Sequence, residues 1–198
     1  MTSSAPDAPC GLPRAQDLFE GVVLRVPSGS WDSPSPCEGW TARDVLGHVI
    51  AFHHEIVALA LGAPPPGPTA FPGSYVGPDP ATSWREARAA CTAALTPAAL
   101  DRPIPFPGFG EIPLRTLLDT YVLELVVHAW DLATAAALPL HPASDLVHHA
   151  LATAQVIAPA LRRDGLVAPP RTPPRGASEL TRLLASLGRD DGTCAPPA

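Results

Sequence analysis

The sequence is poor in charged residues and contains no lysine. Charged residues make up 16% of the 198 residues, and the 13 basic ones are arginines scattered along the chain. Because binding to nucleic-acid phosphates needs clustered positive charge, this distribution argues against a nucleic-acid partner. Hydrophobic residues make up 46% of the chain, so the composition is that of a globular protein rather than a disordered one.

The sequence also lacks the segments that direct proteins to membranes. Its first residues, MTSSAPDAPCG, have neither the basic nor the apolar region of a signal peptide. No apolar run approaches the roughly 18 residues that a membrane-spanning helix needs. The four cysteines show no Cys-x-x-Cys spacing. We therefore expect free thiols in a reduced, cytoplasmic protein without a membrane partner.

Proline, by contrast, is abundant, and its placement divides the chain into segments. The 27 prolines fall between apolar segments with helical spacing, where a missing N–H does least harm. The spacing predicts helices at about 12–26, 42–61, 82–95, 114–137 and 142–161, and a short one at 180–187. Thr41 and Asp44 predict a near-capping box before the second helix. The turn-rich segment 103–113 predicts a short edge hairpin.

These segments indicate a single all-α domain. We expect residues 11–190 to form this domain, and residues 1–10 and 191–198 to be disordered ends. A chain of this length buries a core without disulfides or structural metals. Helices of this length joined by ordered loops are typical of a helical bundle, here with a short extra helix or a turn-rich hairpin.

The helix predicted at 114–137 carries polar residues that indicate a metal site. It is apolar nearly all round, yet Glu124, His128 and Asp131 lie along one stripe of it. A buried carboxylate without a partner is very costly, whereas a Glu–His pair four residues apart grips a metal ion well. His48, flanked by apolar residues of the second helix, would be the third ligand. Three protein ligands leave one position free, as in catalytic zinc sites.

Two strings of this sequence resemble a known superfamily. PCEGWTARDVLGHVIA (36–51) and ELVVHAWDLA (124–133) are similar to the DinB-like superfamily, in the actinobacterial branch that resembles the N-terminal domain of mycothiol-dependent maleylpyruvate isomerase. The resemblance implies a DinB-like four-helix bundle with a metal bound by His48, Glu124 and His128. Because it concerns the N-terminal domain, we expect the chain to lack the second domain of the full-length isomerase.

The resemblance also implies a function. The cofactor would be a divalent metal, Zn²⁺ first and Ni²⁺ or Fe²⁺ as alternatives, with mycothiol as a small thiol co-substrate. The thiolate would attack a small electrophilic substrate, so that the protein catalyses S-transfer or cis–trans isomerisation. Two other interpretations remain open: metal-assisted hydrolysis, and metal or small-molecule binding without turnover. The chain would act as a monomer or a homodimer.

Three further residues are candidates for catalysis. Asp131 would orient His128 or a metal-bound water, or else make a structural hydrogen bond. Glu55 follows His48 by seven residues on the same helical face. It would be an outer partner or a proton acceptor, or else an exposed charge. Tyr121 would donate to a substrate oxygen, or else pack in the core with its hydroxyl capped.

Other residues near these motifs receive structural interpretations. Cys37 precedes the second helix and would approach the metal only as an extra ligand, which the family pattern does not use. Trp40 is expected to pack and hold its loop in place. His53 and His54 are rotated away from the ligand face of their helix, so we predict both on the surface.

Overall fold

The described part of the chain covers nearly all of the expected domain. The structure, a computed structural model, describes residues 11–67, 69–106 and 110–193. The segment 1–10, predicted to be disordered, lies outside the described residues. So do residues 194–198 of the predicted tail.

The described residues are mostly helical, with one small hairpin. Their helices are α1 (Leu12–Val23), α2 (Ala42–Leu61), α3 (Pro80–Ala94), α4 (Pro97–Leu100), α5 (Leu114–Ala135), α6 (Ser144–Arg163) and α7 (Glu179–Ser186). Strand β1 (Pro103–Phe106) pairs antiparallel with β2 (Gly110–Pro113), with Ile104 opposite Ile112. The all-α fold class and the hairpin are confirmed. The sequence did not predict α4, because a single turn is too short to show helical periodicity.

Helix α2 begins and ends where its capping residues place it. The Thr41 hydroxyl accepts from the Asp44 N–H at 3.2 Å, and the Asp44 carboxylate accepts from the Thr41 N–H at 3.0 Å. These reciprocal bonds confirm the capping box. At the other end, Gly62 adopts a left-handed φ of 73°, which ends the helix without steric cost. The two caps define the stretch of helix that carries His48.

The chain divides into two compact units, Met1–Leu140 and His141–Ala198. In the first unit the four long helices form a ring of contacts, in which α1 and α2 each pack against both α3 and α5. In the second unit α6 packs against α7. The single domain expected from residue 11 to 190 stays a prediction.

Helices α2 and α5 are the central apolar elements of the first unit. Helix α5 is buried nearly all round, as its sequence predicts, with Leu118, Leu125 and Leu132 fully inaccessible. Helix α2 is also long and apolar enough to span a membrane by length and composition alone, with a mean hydropathy of 1.3 over 18 of its residues. It packs against α3 and α5 in the structure, as core helices of similar composition do. Both helices carry polar residues into this apolar setting.

Candidate metal centre

The facing helices α2 and α5 bring the three predicted metal ligands together. The Glu124 Oε2 lies 3.0 Å from the His128 Nε2 and 3.7 Å from the His48 Nε2. The ligand atoms of all three residues lie within 4.8 Å of one another. Glu124 and His128 are one turn apart on α5, and His48 reaches them from α2.

This arrangement fits a divalent ion. The 3.7 Å between Glu124 and His48 exceeds a hydrogen-bond length. Ligand atoms that share a tetrahedral Zn²⁺ lie roughly 3.3 Å apart, so small side-chain shifts would complete the site. One carboxylate and two imidazoles form a known catalytic zinc donor set. The side chains of His48 and Glu124 are 33% and 29% exposed, so the cluster is open to solvent on their side.

The charges of the cluster reinforce one another. Burial by itself would raise the pKa of Glu124, but the hydrogen bond from His128 and the nearby His48 ring hold that pKa well below its usual range. Burial would likewise lower the pKa of His128, but its bonds to Asp131, Cys37 and Glu124 raise that pKa well above the usual value. Glu124 is therefore anionic, and a metal ion bound here would have to displace a proton from His128.

Asp131 fixes the orientation of the His128 ring. It is fully buried, and its Oδ2 lies 2.9 Å from the His128 Nδ1. With Nδ1–H donating to this carboxylate, Nε2–H donates to Glu124, and the Nε2 lone pair would become available to a metal ion once that proton is lost. Metal-binding histidines usually make such a contact with their other nitrogen. The structure thus places Asp131 where an orienting residue of the site belongs.

The loop between α1 and α2 folds back on itself before it reaches the site. The Ser35 N–H donates to the Trp40 carbonyl at 2.8 Å, and the Ala42 N–H donates to the Ser33 carbonyl at 2.9 Å. These bonds close residues 33–41 into a defined loop. The prolines and the glycine before Trp40 are the only sequence signal of this turn.

This loop supplies two side chains that the sequence did not assign to the site. The Cys37 Sγ lies 3.3 Å from the Asp131 Oδ2. The Trp40 ring lies 5.0 Å from the His48 ring and 6.5 Å from the His128 ring, measured between centroids. Trp40 therefore packs beside both imidazoles. Cys37 reaches the partner of His128 rather than the three-ligand cluster.

The structure does not bring the other two catalytic candidates to the ligand cluster. Tyr121 is fully buried, and its hydroxyl donates to the Val49 carbonyl at 3.2 Å and contacts the His53 ring. Its position corrects the catalytic interpretation in favour of core packing with a capped hydroxyl. Glu55 is half-buried, and burial raises its pKa. Seven residues of helix separate it from His48 by about 10 Å along α2.

The prediction for His53 is wrong, because this residue is fully buried. Its ring contacts the Val49 carbonyl at 2.9 Å and the Gln16 amide nitrogen at 3.2 Å. Burial lowers the pKa of His53 to about 4. It lies four residues after buried Val49, so its spacing was that of the core face, but a periodicity count treats histidine as polar. His54 is exposed, as predicted.

A protein-family comparison identifies the chain. The sequence-family model for the mycothiol maleylpyruvate isomerase N-terminal domain matches residues 12–133, which include the ligand cluster and the loop of Cys37. The chain belongs to this family. Two relatives are uncharacterized proteins of Mycobacterium tuberculosis, from strains CDC 1551 / Oshkosh and ATCC 25618 / H37Rv. Each is 29% identical over 178 residues, which cover 89% of this chain and 94% of the relative.

Solved structures extend the likeness to the fold of the whole chain. Two crystal structures of the mycothiol-dependent maleylpyruvate isomerase, one of them of a mutant, match with a TM-score of 0.66 at 15% identity. The match covers 98% of this chain and 95% of the isomerase chain. The expectation that the chain lacks the second domain of that enzyme is therefore wrong, since nearly all of the isomerase chain has a structural counterpart here.

Proposed function

We propose that this family member is a metal-dependent enzyme that uses mycothiol, or a similar small thiol, on a small electrophilic substrate. The reaction would be S-transfer or cis–trans isomerisation. The observation that carries the proposal is the cluster of His48, Glu124 and His128, which has three suitable ligand atoms and an open side. Family membership supports the choice of thiol, because the isomerase of known structure is mycothiol-dependent.

The three clustered residues would hold the metal, and Asp131 and Trp40 would keep their side chains in position. A bound divalent ion, Zn²⁺ first and Ni²⁺ or Fe²⁺ as alternatives, would lower the pKa of a thiol at its free position. Asp131 holds the His128 ring so that Nε2 faces Glu124. Trp40 packs beside the imidazole rings of His48 and His128.

The thiol proton needs an acceptor, and Glu55 is our candidate, which would receive the proton through intervening water because it lies about 10 Å from His48 along α2. It follows His48 on the same face of α2, and burial raises its pKa. Asp131 is less suited, because its Oδ2 already contacts His128 and Cys37. In an isomerisation, the thiolate would add to an activated double bond, the resulting single bond would rotate, and elimination would return the thiol.

Metal analysis of the purified protein tests the first part of the proposal. After refolding with Zn²⁺, we expect one tightly bound ion per chain, and loss of this ion in His48→Ala. His54→Ala is the matched control, because it removes an exposed histidine from the same helix. Wild-type protein without stoichiometric metal would contradict the proposal.

Thiol binding and turnover test the second part. Isothermal titration should show mycothiol binding to the metal-loaded protein and weaker binding to His48→Ala. Turnover of maleylpyruvate, or of an activated aryl halide, should require both thiol and metal. Thiol-independent ester hydrolysis would overturn the thiol mechanism in favour of a hydrolase. Ligand binding with no turnover of any of these substrates would overturn catalysis in favour of a binding protein.

A further inference from the structure

Asp131 is in contact with two hydrogen-bond donors from different parts of the chain. Its Oδ2 lies 2.9 Å from the His128 Nδ1 and 3.3 Å from the Cys37 Sγ. A carboxylate only accepts hydrogen bonds, so both the ring N–H and the thiol S–H donate to it. Asp131 is fully buried, and a buried carboxylate needs such donors to offset the loss of water.

The second donor restricts how the carboxylate can turn. The terminal torsion of aspartate is broad, so each hydrogen bond to the carboxylate narrows the range through which it can rotate. Cys37 belongs to the loop 33–41, whose backbone hydrogen bonds hold it in place. Its S–H therefore anchors Asp131 Oδ2 from outside α5.

We propose that Cys37 is a positioning residue of the metal centre. It acts through Asp131, whose carboxylate it holds on the Nδ1 side of His128, so that Nε2 stays directed at Glu124. This inference rests on the proposed metal site and assigns a role to a residue outside the three ligands.

The same atoms suggest one competing role for Cys37. Cys37, His128 and Asp131 place ligand atoms within 4.8 Å of one another, so a thiophilic ion is a conceivable occupant. Such an ion would bind the Nδ1 of His128. Nδ1 could then no longer donate to Asp131, and Nε2 would no longer be the nitrogen available for a metal ion shared with Glu124 and His48. The separations of 2.9 and 3.3 Å are those of hydrogen bonds, which favours the donor role.

Metal affinity in a set of variants tests the positioning role. Chelator competition should show Zn²⁺ affinity about threefold to tenfold lower in Cys37→Ala, somewhat less than loss of a direct outer partner costs. Cys37→Ser should stay near wild type, because a hydroxyl also donates. In an Asp131→Asn background, Cys37→Ala should have no further effect, since the two act through one contact. Cys91→Ala is the control, because this buried cysteine lies outside the cluster.

A second measurement does not depend on the metal. The infrared S–H stretch of Cys37, identified by its loss in Cys37→Ala, should move to higher frequency in metal-free Asp131→Asn as its hydrogen bond weakens. If the S–H frequency shifts but the wild-type protein binds no metal, the hydrogen bond is supported and the proposed metal site is rejected. Normal metal binding with no shift would reject the role of Cys37 alone.

Three other results would overturn the inference. One is equal Zn²⁺ affinity in Cys37→Ala and wild type. Another is an additive loss in the double variant, which would mean that Cys37 and Asp131 act independently. The third is a thiolate-to-metal charge-transfer band in the Co²⁺-loaded wild type that disappears in Cys37→Ser, because Cys37 would then be a ligand.

Discussion

Helices α2 and α5 contribute to two polar clusters that differ in their exposure to solvent. The open cluster is the candidate metal centre and consists of Cys37, His48, Glu124, His128 and Asp131. The closed cluster lies in the core of the same unit and consists of Gln16, His53, Trp84 and Tyr121, all of them buried. Of these residues, only members of the open cluster are carboxylates or partly exposed to solvent. The closed cluster meets a carboxylate at its edge, where the Trp84 Nε1–H donates to Glu20 at 3.1 Å.

The two buried histidines show what this difference does. His53 has only neutral partners, the Val49 carbonyl, the Gln16 amide and the Tyr121 hydroxyl, and burial lowers its pKa to about 4. His128 is almost as buried, but hydrogen bonds to carboxylates and to Cys37 raise its pKa. Burial alone therefore does not decide the charge of a histidine. The partners decide whether the cluster holds the core together or attracts an ion.

The largest expected effect comes from neutralising the open cluster. Glu124→Gln keeps the side-chain volume but removes the anionic ligand. We expect Zn²⁺ affinity to fall by more than about 1,000-fold, beyond the 10- to 100-fold cost of losing an outer partner. Chelator competition measures the change, with exposed Glu111→Gln as the charge-matched control. Stoichiometric Zn²⁺ in Glu124→Gln would remove the functional distinction between the clusters.

The next effect concerns the closed cluster and pH. The pKa of His53 is about 4 in the folded protein, below the ordinary 6.5, so the unfolded chain binds the proton first. The stability that depends on neutral His53 is present above pH 6.5 and lost as the pH falls toward 4. The loss reaches about 3 kcal/mol, because each pKa unit corresponds to about 1.4 kcal/mol. Urea unfolding of metal-free protein between pH 7 and 4 measures it.

A variant isolates this contribution from other titrating groups. His128 works in the opposite sense, since a raised pKa stabilises the folded state at low pH and that stability is lost as the pH rises. The difference in unfolding free energy between wild type and His53→Gln should therefore decrease as the pH falls, whatever the other groups do. The charges nearest to His53 belong to His54 and Arg88. A difference that stays constant with pH would show that His53 is not held neutral.

The smallest expected effect is a loss of stability in the closed cluster with no change in metal binding at the open cluster. Tyr121→Phe removes one hydroxyl from the closed cluster, and the Val49 carbonyl keeps its contact with His53. We expect the free energy of unfolding to fall by about 1 kcal/mol, the typical value of one hydrogen bond. Zn²⁺ affinity and turnover should not change. A large fall in turnover with normal stability would return Tyr121 to the list of catalytic residues.

The sequence by itself determined the long helices and indicated the three clustered residues. The capping box at Thr41 and the glycine at 62 set the bounds of α2, because both act within one turn of the chain. The four-residue spacing of Glu124 and His128 put both on one face of α5, because helical geometry repeats every 3.6 residues. The apolar residues around them indicated that these polar groups face the core, where a buried polar group needs a hydrogen-bonding or metal partner.

Only the tertiary structure decided which partners they meet. His53 and His54 are adjacent in sequence, but one is buried with Gln16 and Tyr121 and the other is exposed. Periodicity assigns a residue to a face of its helix. It does not show whether another helix places a hydrogen-bonding side chain opposite that face. Cys37 likewise reaches Asp131 across 94 positions of sequence, through a loop whose path depends on hydrogen bonds formed after folding. The pairing of Glu124 with His128 in the candidate metal centre follows from local spacing, whereas the groups that hold this pair in place follow from long-range packing.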